Sequence, residues 1–135
     1  MPRVAYLGPE GTFTEAALLQ MVAAEVIPGA GDIEPVPCDS AAGALAAVRA
    51  CTVDYACAPI ENSIEGSVVP TMDSLAAGTP LQIFAEHTLD VAFSIAVRPD
   101  TVASSVATIA AFPVAEAQVR RWLAEHLPTA RTVPT

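Results

Sequence analysis

Read as apolar and polar positions, the chain opens on an unbroken apolar run, Val4-Ala5-Tyr6-Leu7, behind Arg3. A short run without polar alternation is what a strand covered on both faces requires, so Arg3 to Leu7 is expected to be a buried strand. Gly8-Pro9-Glu10-Gly11 breaks it. Thr12-Phe13-Thr14-Glu15 then has the spacing of a capping box, in which a hydroxyl and a carboxylate satisfy the free N–H groups at a helix start. Beyond it the repeat becomes helical: Phe13, Ala17 and Met21 form one row and Leu18 and Val22 the next, predicting a single apolar face. Pro28-Gly29-Ala30-Gly31 is expected to stop this helix. Ile33 to Cys38 is extended again, but Pro35 and Pro37 lack ladder donors, which places it near a sheet edge. Asp39-Ser40 caps a second, Ala-rich helix ending near Ala50, and Val53 to Ala58 forms a third apolar strand.

Strand and helix thus alternate from Arg3 to Ala58, which implies parallel strands joined by right-handed crossovers. Pro70 to Ala77 reads as a short helix and Gly78-Thr79-Pro80 as a break. The pattern then changes. Leu81 to Ala85 and Leu89 to Val97 read as strands, separated by the polar Glu86-His87-Thr88 and ended by Arg98-Pro99-Asp100. Thr108 to Ala111 is a further strand, and Phe112-Pro113 starts a helix with proline first and Glu116 in the opening turn. Ala115, Val119, Trp122, Leu123 and His126 share one face of that helix, with Trp122 as its expected core anchor. Pro128 ends it, and Arg131-Thr132-Val133 begins another strand. The expectation is an α/β chain with a first lobe over residues 1–80 and a second over 81–135, the second stopping where another strand–helix unit belongs.

Composition narrows the classes. With 53% hydrophobic and 16% charged residues the 135-residue chain has a core to bury, and at 5% aromatic that core rests on Ala, Val, Leu and Ile. Fifteen acidic against six basic residues give a net charge of −9, which argues against a nucleic-acid partner. Cys38, Cys51 and Cys57 have no zinc spacing and cannot all pair, so reduced thiols in a cytoplasmic setting are expected. Met1-Pro2-Arg3 leads straight into a strand without a signal-peptide pattern. The longest uncharged window, Thr101 to Ala115, is too short to span a bilayer, so no membrane partner is expected.

Two stretches can carry chemistry. Glu61-Asn62-Ser63 follows the third strand at its carboxyl end, where α/β sheets bind ligands. The local pattern leaves two readings open: these side chains line a ligand site, or Asn62 caps a helix or turn with Glu65 completing the pattern. Gly8 to Thr12 offers backbone N–H groups at the positive end of a helix, suited to a carboxylate or phosphate. It lacks the G-x-G-x-x-G spacing and the P-loop lysine, so a nucleotide is not expected. Both loops would face one crevice in a parallel sheet. His87 and His126 build neither a Ser-His-Asp triad nor a metal cluster. The residues alone lead to a small-anion site between lobes.

Gly8-Pro9-Glu10-Gly11-Thr12-Phe13-Thr14, followed in order by Pro59-Ile60-Glu61-Asn62-Ser63-Ile64-Glu65-Gly66-Ser67-Val68, resembles the prephenate dehydratase family. The resemblance implies a periplasmic-binding-protein-like (type II) bilobal catalytic domain, here truncated in the second lobe, with the later catalytic segment and the ACT domain not present. It implies a cofactor-free conversion of prephenate to phenylpyruvate in phenylalanine biosynthesis, driven by formation of an aromatic ring. It implies that Thr12, Glu61, Asn62 and Ser63 contact substrate, joined by Gln118, which follows Pro113 as a family glutamine does. Two departures stand out. Ala111-Phe112 occupies the place of a Ser-His pair, and the essential threonine of the family's Thr-Arg-Asp/Glu-Thr-Phe-like motif has no counterpart in residues 1–135, so no catalytic residue is assigned. The same lobes would suit arogenate, or a non-catalytic small-anion-binding module. An unfinished second lobe also leaves sheet edge exposed, which favours a homo-oligomer. The 135-residue chain is accordingly expected to form no phenylpyruvate from prephenate; turnover above the uncatalysed rate in a purified sample would show the absent motif to be dispensable.

Overall fold

Val4, Ala5 and Tyr6 are buried in succession, at 1%, 0% and 1% exposure, which requires cover on both faces of one strand. In the computed structural model, which describes residues 1–29 and 31–135, that strand is β1 (Arg3–Leu7). It lies at the centre of a parallel three-stranded sheet, between β2 (Glu34–Cys38) and β3 (Tyr55–Cys57). The prolines of β2 fit its edge position. Glu34 N–H donates to Pro2 O at 2.9 Å, so alternate residues 34, 36 and 38 bond inward and Pro35 and Pro37 face away from β1.

Side chains of β1 alternate between two layers. Val4 and Tyr6 pack with Leu18 of helix α1 (Phe13–Ala23) and with Ile27. Ala5 faces the other way, against Ala44 of helix α2 (Ala41–Arg49) and Val53. Ala5 and Ala44 are both wholly buried, so α2 approaches the sheet across small side chains. The chain goes from β1 through α1 to one edge and returns through α2 to the other, so the helices cover opposite faces as the crossover rule demands.

The first helix stops earlier than the sequence leads one to expect, whereas the second ends at Arg49, beside the expected Ala50. After Ala23 the N–H of Glu25 bonds Val22 O and that of Val26 bonds Met21 O, a Schellman arrangement with Glu25 at φ 54°. The turn at Pro28-Gly29 therefore lies past the helix end; Ala30 is outside the described residues. The motif recurs after α2, where Cys51 stands at φ 55° and Cys51 and Thr52 bond Val48 O and Ala47 O. Phe13, expected on the apolar face, is 52% exposed because it is the first helical residue, and Leu18 takes the buried place.

Arg49 holds the next element. Its guanidinium donates to Ser74 O, Ala77 O and Thr79 O at 2.7, 2.9 and 2.9 Å, gripping the carboxyl end of helix α3 (Val69–Ala76). From Pro80 to Arg98 the chain has neither helix nor turn, and no described residue pairs with it in a ladder. The strands expected at 81–85 and 89–97 thus have strand-like sequence without a sheet partner. Residues up to Asp90 belong to the first compact unit, Met1–Asp90. There Phe84 meets Tyr55 edge to face at 5.3 Å, and His87 Nε2 lies 2.7 Å from Gln20 Oε1.

The second unit, Val91–Thr135, holds one parallel βαβ motif. After the short strands β4 (Glu61–Asn62) and β5 (Gly66–Ser67) of the first unit, strand β6 (Thr108–Ala111) pairs with β7 (Arg131–Pro134) through helix α4 (Pro113–His126). Trp122 is not the core anchor: it is 47% exposed and stacks on His126 at 4.3 Å and 6°. Two strands cover only a narrow stripe of the helix, and Leu123, 8% exposed, fills it. The observed architecture is α/β with parallel sheets and covering helices.

Leu18 and Leu19 are sequence neighbours on opposite sides of α1, at 0% and 52% exposure. Leu18→Ala is expected to cost about 2–5 kcal/mol in urea unfolding. Leu19→Ala should stay within about 0.5 kcal/mol; equal losses would contradict the packing of α1.

Candidate functional site

The loop after β1 is shaped by a close approach. Gly8 N–H donates to Cys38 O at 2.9 Å, and a Cβ on Gly8 would come within 2.9 Å of Pro37 Cβ, so only glycine fits. A cis peptide joins Gly8 to Pro9, and Gly11 turns the chain at φ 84°. Thr12 then caps α1. Its hydroxyl donates to Leu7 O at 3.0 Å and accepts from Glu15 N–H at 3.3 Å. Glu15 closes the capping pattern one residue further out than the simple form, accepting from Gly11 N–H at 2.6 Å. Its other oxygen accepts from Tyr6 Oη at 3.0 Å. Burial, and then the Glu15 carboxylate, push the Tyr6 phenol above its ordinary value.

Between this loop and the end of β2 lies a cleft of about 350 Å3, lined by Gly8, Pro9, Pro37, Cys38 and Asp39. Ser40 follows directly and caps α2, its hydroxyl accepting from Gly43 N–H at 3.0 Å. The amino ends of α1 and α2 therefore both start from the carboxyl edge of the sheet, where backbone dipoles favour an anion.

The third contribution is a hairpin. Strands β4 (Glu61–Asn62) and β5 (Gly66–Ser67) pair antiparallel, and Val68 N–H donates to Ile60 O at 2.9 Å. Asn62 Oδ1 accepts from Ile64 N–H at 2.9 Å and Glu65 N–H at 3.4 Å, and Gly66 takes φ 80° to close the turn. Asn62 is thus a turn cap through its oxygen. Its amide N–H groups, the Glu61 carboxylate and the Ser63 hydroxyl take no hydrogen bond among the described residues. The hairpin was legible in principle, since Asn62 with Gly66 is a turn signature.

The loop of Thr12 and the hairpin of Glu61, Asn62 and Ser63 follow neighbouring parallel strands and share one end of the sheet. Gln118 stands on α4, half-buried, in the second unit. Cys57, at the end of β3, points its thiol toward Thr14 O at 3.8 Å, and burial raises its pKa. Among the described residues no group of three or more His, Cys, Asp or Glu could hold a metal, and no helix is long and apolar enough to cross a membrane. This end of the sheet offers dipoles and neutral donors for a carboxylate, and the hairpin that follows β3 adds the exposed Glu61.

A family model described as prephenate dehydratase matches residues 4–135. A prephenate dehydratase of Mycobacterium sp. (strain JLS) is 67% identical over 139 residues, covering 99% of this chain and 44% of its own length. One from Mycolicibacterium smegmatis is 66% identical over 138 residues, with the same shares covered. The crystal structure of a prephenate dehydratase from Arthrobacter aurescens in complex with L-Phe is 43% identical, with a TM-score of 0.78 over 98% of this chain and 42% of that one. The chain spans less than half the length of these relatives.

The Cys57 thiol gives a pH dependence with a definite sign. Its raised pKa means that the folded chain keeps the proton to higher pH than the unfolded chain does. This contribution to stability is complete below the ordinary thiol value of about 8.5 and is lost as pH climbs through the raised native value. Unfolding free energy should fall less steeply between neutral and alkaline pH in Cys57→Ala than in the unaltered chain; identical slopes would contradict the burial of this thiol.

Proposed function

The chain belongs to the prephenate dehydratase family, and on that premise we propose that it forms part of an enzyme converting prephenate to phenylpyruvate. The observation that carries the reading is the meeting of two ligand-suited loops at the carboxyl end of neighbouring parallel strands. Prephenate presents two carboxylates and a ring hydroxyl. The amino ends of α1 and α2, together with the Asn62 amide, provide donors for a carboxylate. Glu61 and Ser63, at the same end of the sheet, would orient the hydroxyl. Protonation of the hydroxyl releases water, and the bond to the ring carboxylate breaks to give carbon dioxide. Its electron pair completes the aromatic ring, so one proton is taken up and no cofactor is needed.

Thr12 acts in this reading as a positioning residue, because its hydroxyl is held by Leu7 O and Glu15 N–H. The wider architecture we infer is a type II periplasmic-binding-protein-like pair of lobes, over 1–80 and 81–135, in a cytoplasmic enzyme.

Asn62 allows the site to be separated from the fold. Asn62→Asp keeps an acceptor for Ile64 and Glu65 N–H but replaces the amide donor with a negative charge. In the protein extended to the length of its relatives, Asn62→Asp should preserve the melting temperature and lower kcat/KM for prephenate at least about tenfold, mainly through KM. Unaltered kinetics in both Asn62→Asp and Asn62→Ala would place the site elsewhere.

A further inference from the structure

Tyr6 has the largest fully buried side chain among the described residues, and its ring packs with Val4, Leu18 and Ile27. That packing needs only the ring, since a phenylalanine would bury the same surface with no hydroxyl to satisfy. Among the described residues the hydroxyl has one partner: Oη donates to Glu15 Oε1 at 3.0 Å. Glu15 Oε2 in turn accepts from Gly11 N–H at 2.6 Å, so both oxygens of this half-buried carboxylate are taken. The loop they hold has little else to fix it. Pro9, Glu10 and Gly11 are exposed, and a Cβ built on Gly11 would meet nothing within 4 Å. Among the described residues, one hydrogen bond reaches these three from beyond the loop, that of Gly11 to Glu15. Burial, and then Glu15 and Glu10, push the Tyr6 phenol above its ordinary value, so the hydroxyl keeps its proton to donate.

We infer that Tyr6 is a positioning residue for the loop at the start of α1. By holding Oε1 of Glu15 it fixes Oε2 on Gly11 N–H, and so sets the backbone of residues 9–11. A second effect is electrostatic. A carboxylate tied at both oxygens keeps its charge within the loop. Untied from Tyr6 Oη, it is free to turn toward the helix start and take the place an anionic ligand would use. Tyr6 itself, 1% exposed, touches no ligand and acts only through Glu15. This role rests on the reading of the edge as the site of a substrate carboxylate.

Tyr6→Phe removes the hydroxyl and keeps the ring. In the 135-residue chain, NMR should show the Gly11 amide of Tyr6→Phe exchanging with water about fivefold faster. The Ala16 amide, bonded to Thr12 O at 3.0 Å within α1, should keep its rate. In the protein extended to the length of its relatives, KM for prephenate should rise about fivefold with kcat unchanged. Leu18→Ala loosens the same core without removing a hydrogen bond, and should lower the melting temperature while leaving KM as it is. A merely structural role for Tyr6 would give both variants that second pattern. In a Glu15→Ala background, Tyr6→Phe should add nothing to KM, because the hydroxyl acts through that carboxylate. A Gly11 amide indifferent to Tyr6→Phe overturns the role, whatever the edge binds. An unaltered KM in Tyr6→Phe beside a raised one in Asn62→Asp also overturns it, and leaves the proposed site standing. An unaltered KM in both overturns the role and the site together.

Discussion

Everything in the first unit depends on covering β1 from both sides. Val4 and Tyr6 need one apolar layer and Ala5 another, so α1 and α2 must lie on opposite faces and β2 and β3 on opposite edges. Because Ala5 and Ala44 are so small, α2 sits close to the sheet, and its amino end starts at the same edge of the sheet as that of α1. The anion-friendly edge is thus a by-product of packing. The hydrophobic requirement of three residues in β1 arranges the dipoles that the site would use.

The polar groups at that edge divide their capacity. Thr12 spends its hydroxyl on the fold, bonded to Leu7 O and Glu15 N–H. Asn62 gives its oxygen to the hairpin and leaves its amide N–H groups without a partner among the described residues. The two readings of Asn62 concern different atoms of one side chain: Oδ1 caps the turn, and Nδ2 is the atom that a ligand would use. A family motif can conserve such a residue type for two physical reasons at once, and a substitution that separates them is more informative than alanine.

Much of this was legible in the residues. The run Val4–Leu7, the T-x-x-E box and the doublet of prolines in β2 each name their structure through local sterics or hydrogen bonding. What escaped was set by surroundings. Leu81–Ala85 and Leu89–Val97 have strand composition, but a strand exists only where another backbone completes the ladder. Trp122 shares the apolar stripe with Leu123, yet a two-stranded sheet has room for one of them. The end of the first helix was missed because Glu25, not a glycine, takes the left-handed position. The hairpin was missed because its pairing is a relation between Asn62 and Gly66 more than a property of either. The family resemblance named Gln118 as a candidate, for which periodicity alone gave no sign.

Arg49 has a further consequence. Its rigid fork of N–H donors meets three acceptors that are all backbone carbonyls. The joint between α2 and the end of α3 therefore rests on main-chain acceptors alone. It is indifferent to the identity of Ser74, Ala77 and Thr79, since only their main chain is read. Sequence can drift at all three positions while the joint endures, but lysine in place of Arg49, with a single point charge, could not span the same three oxygens.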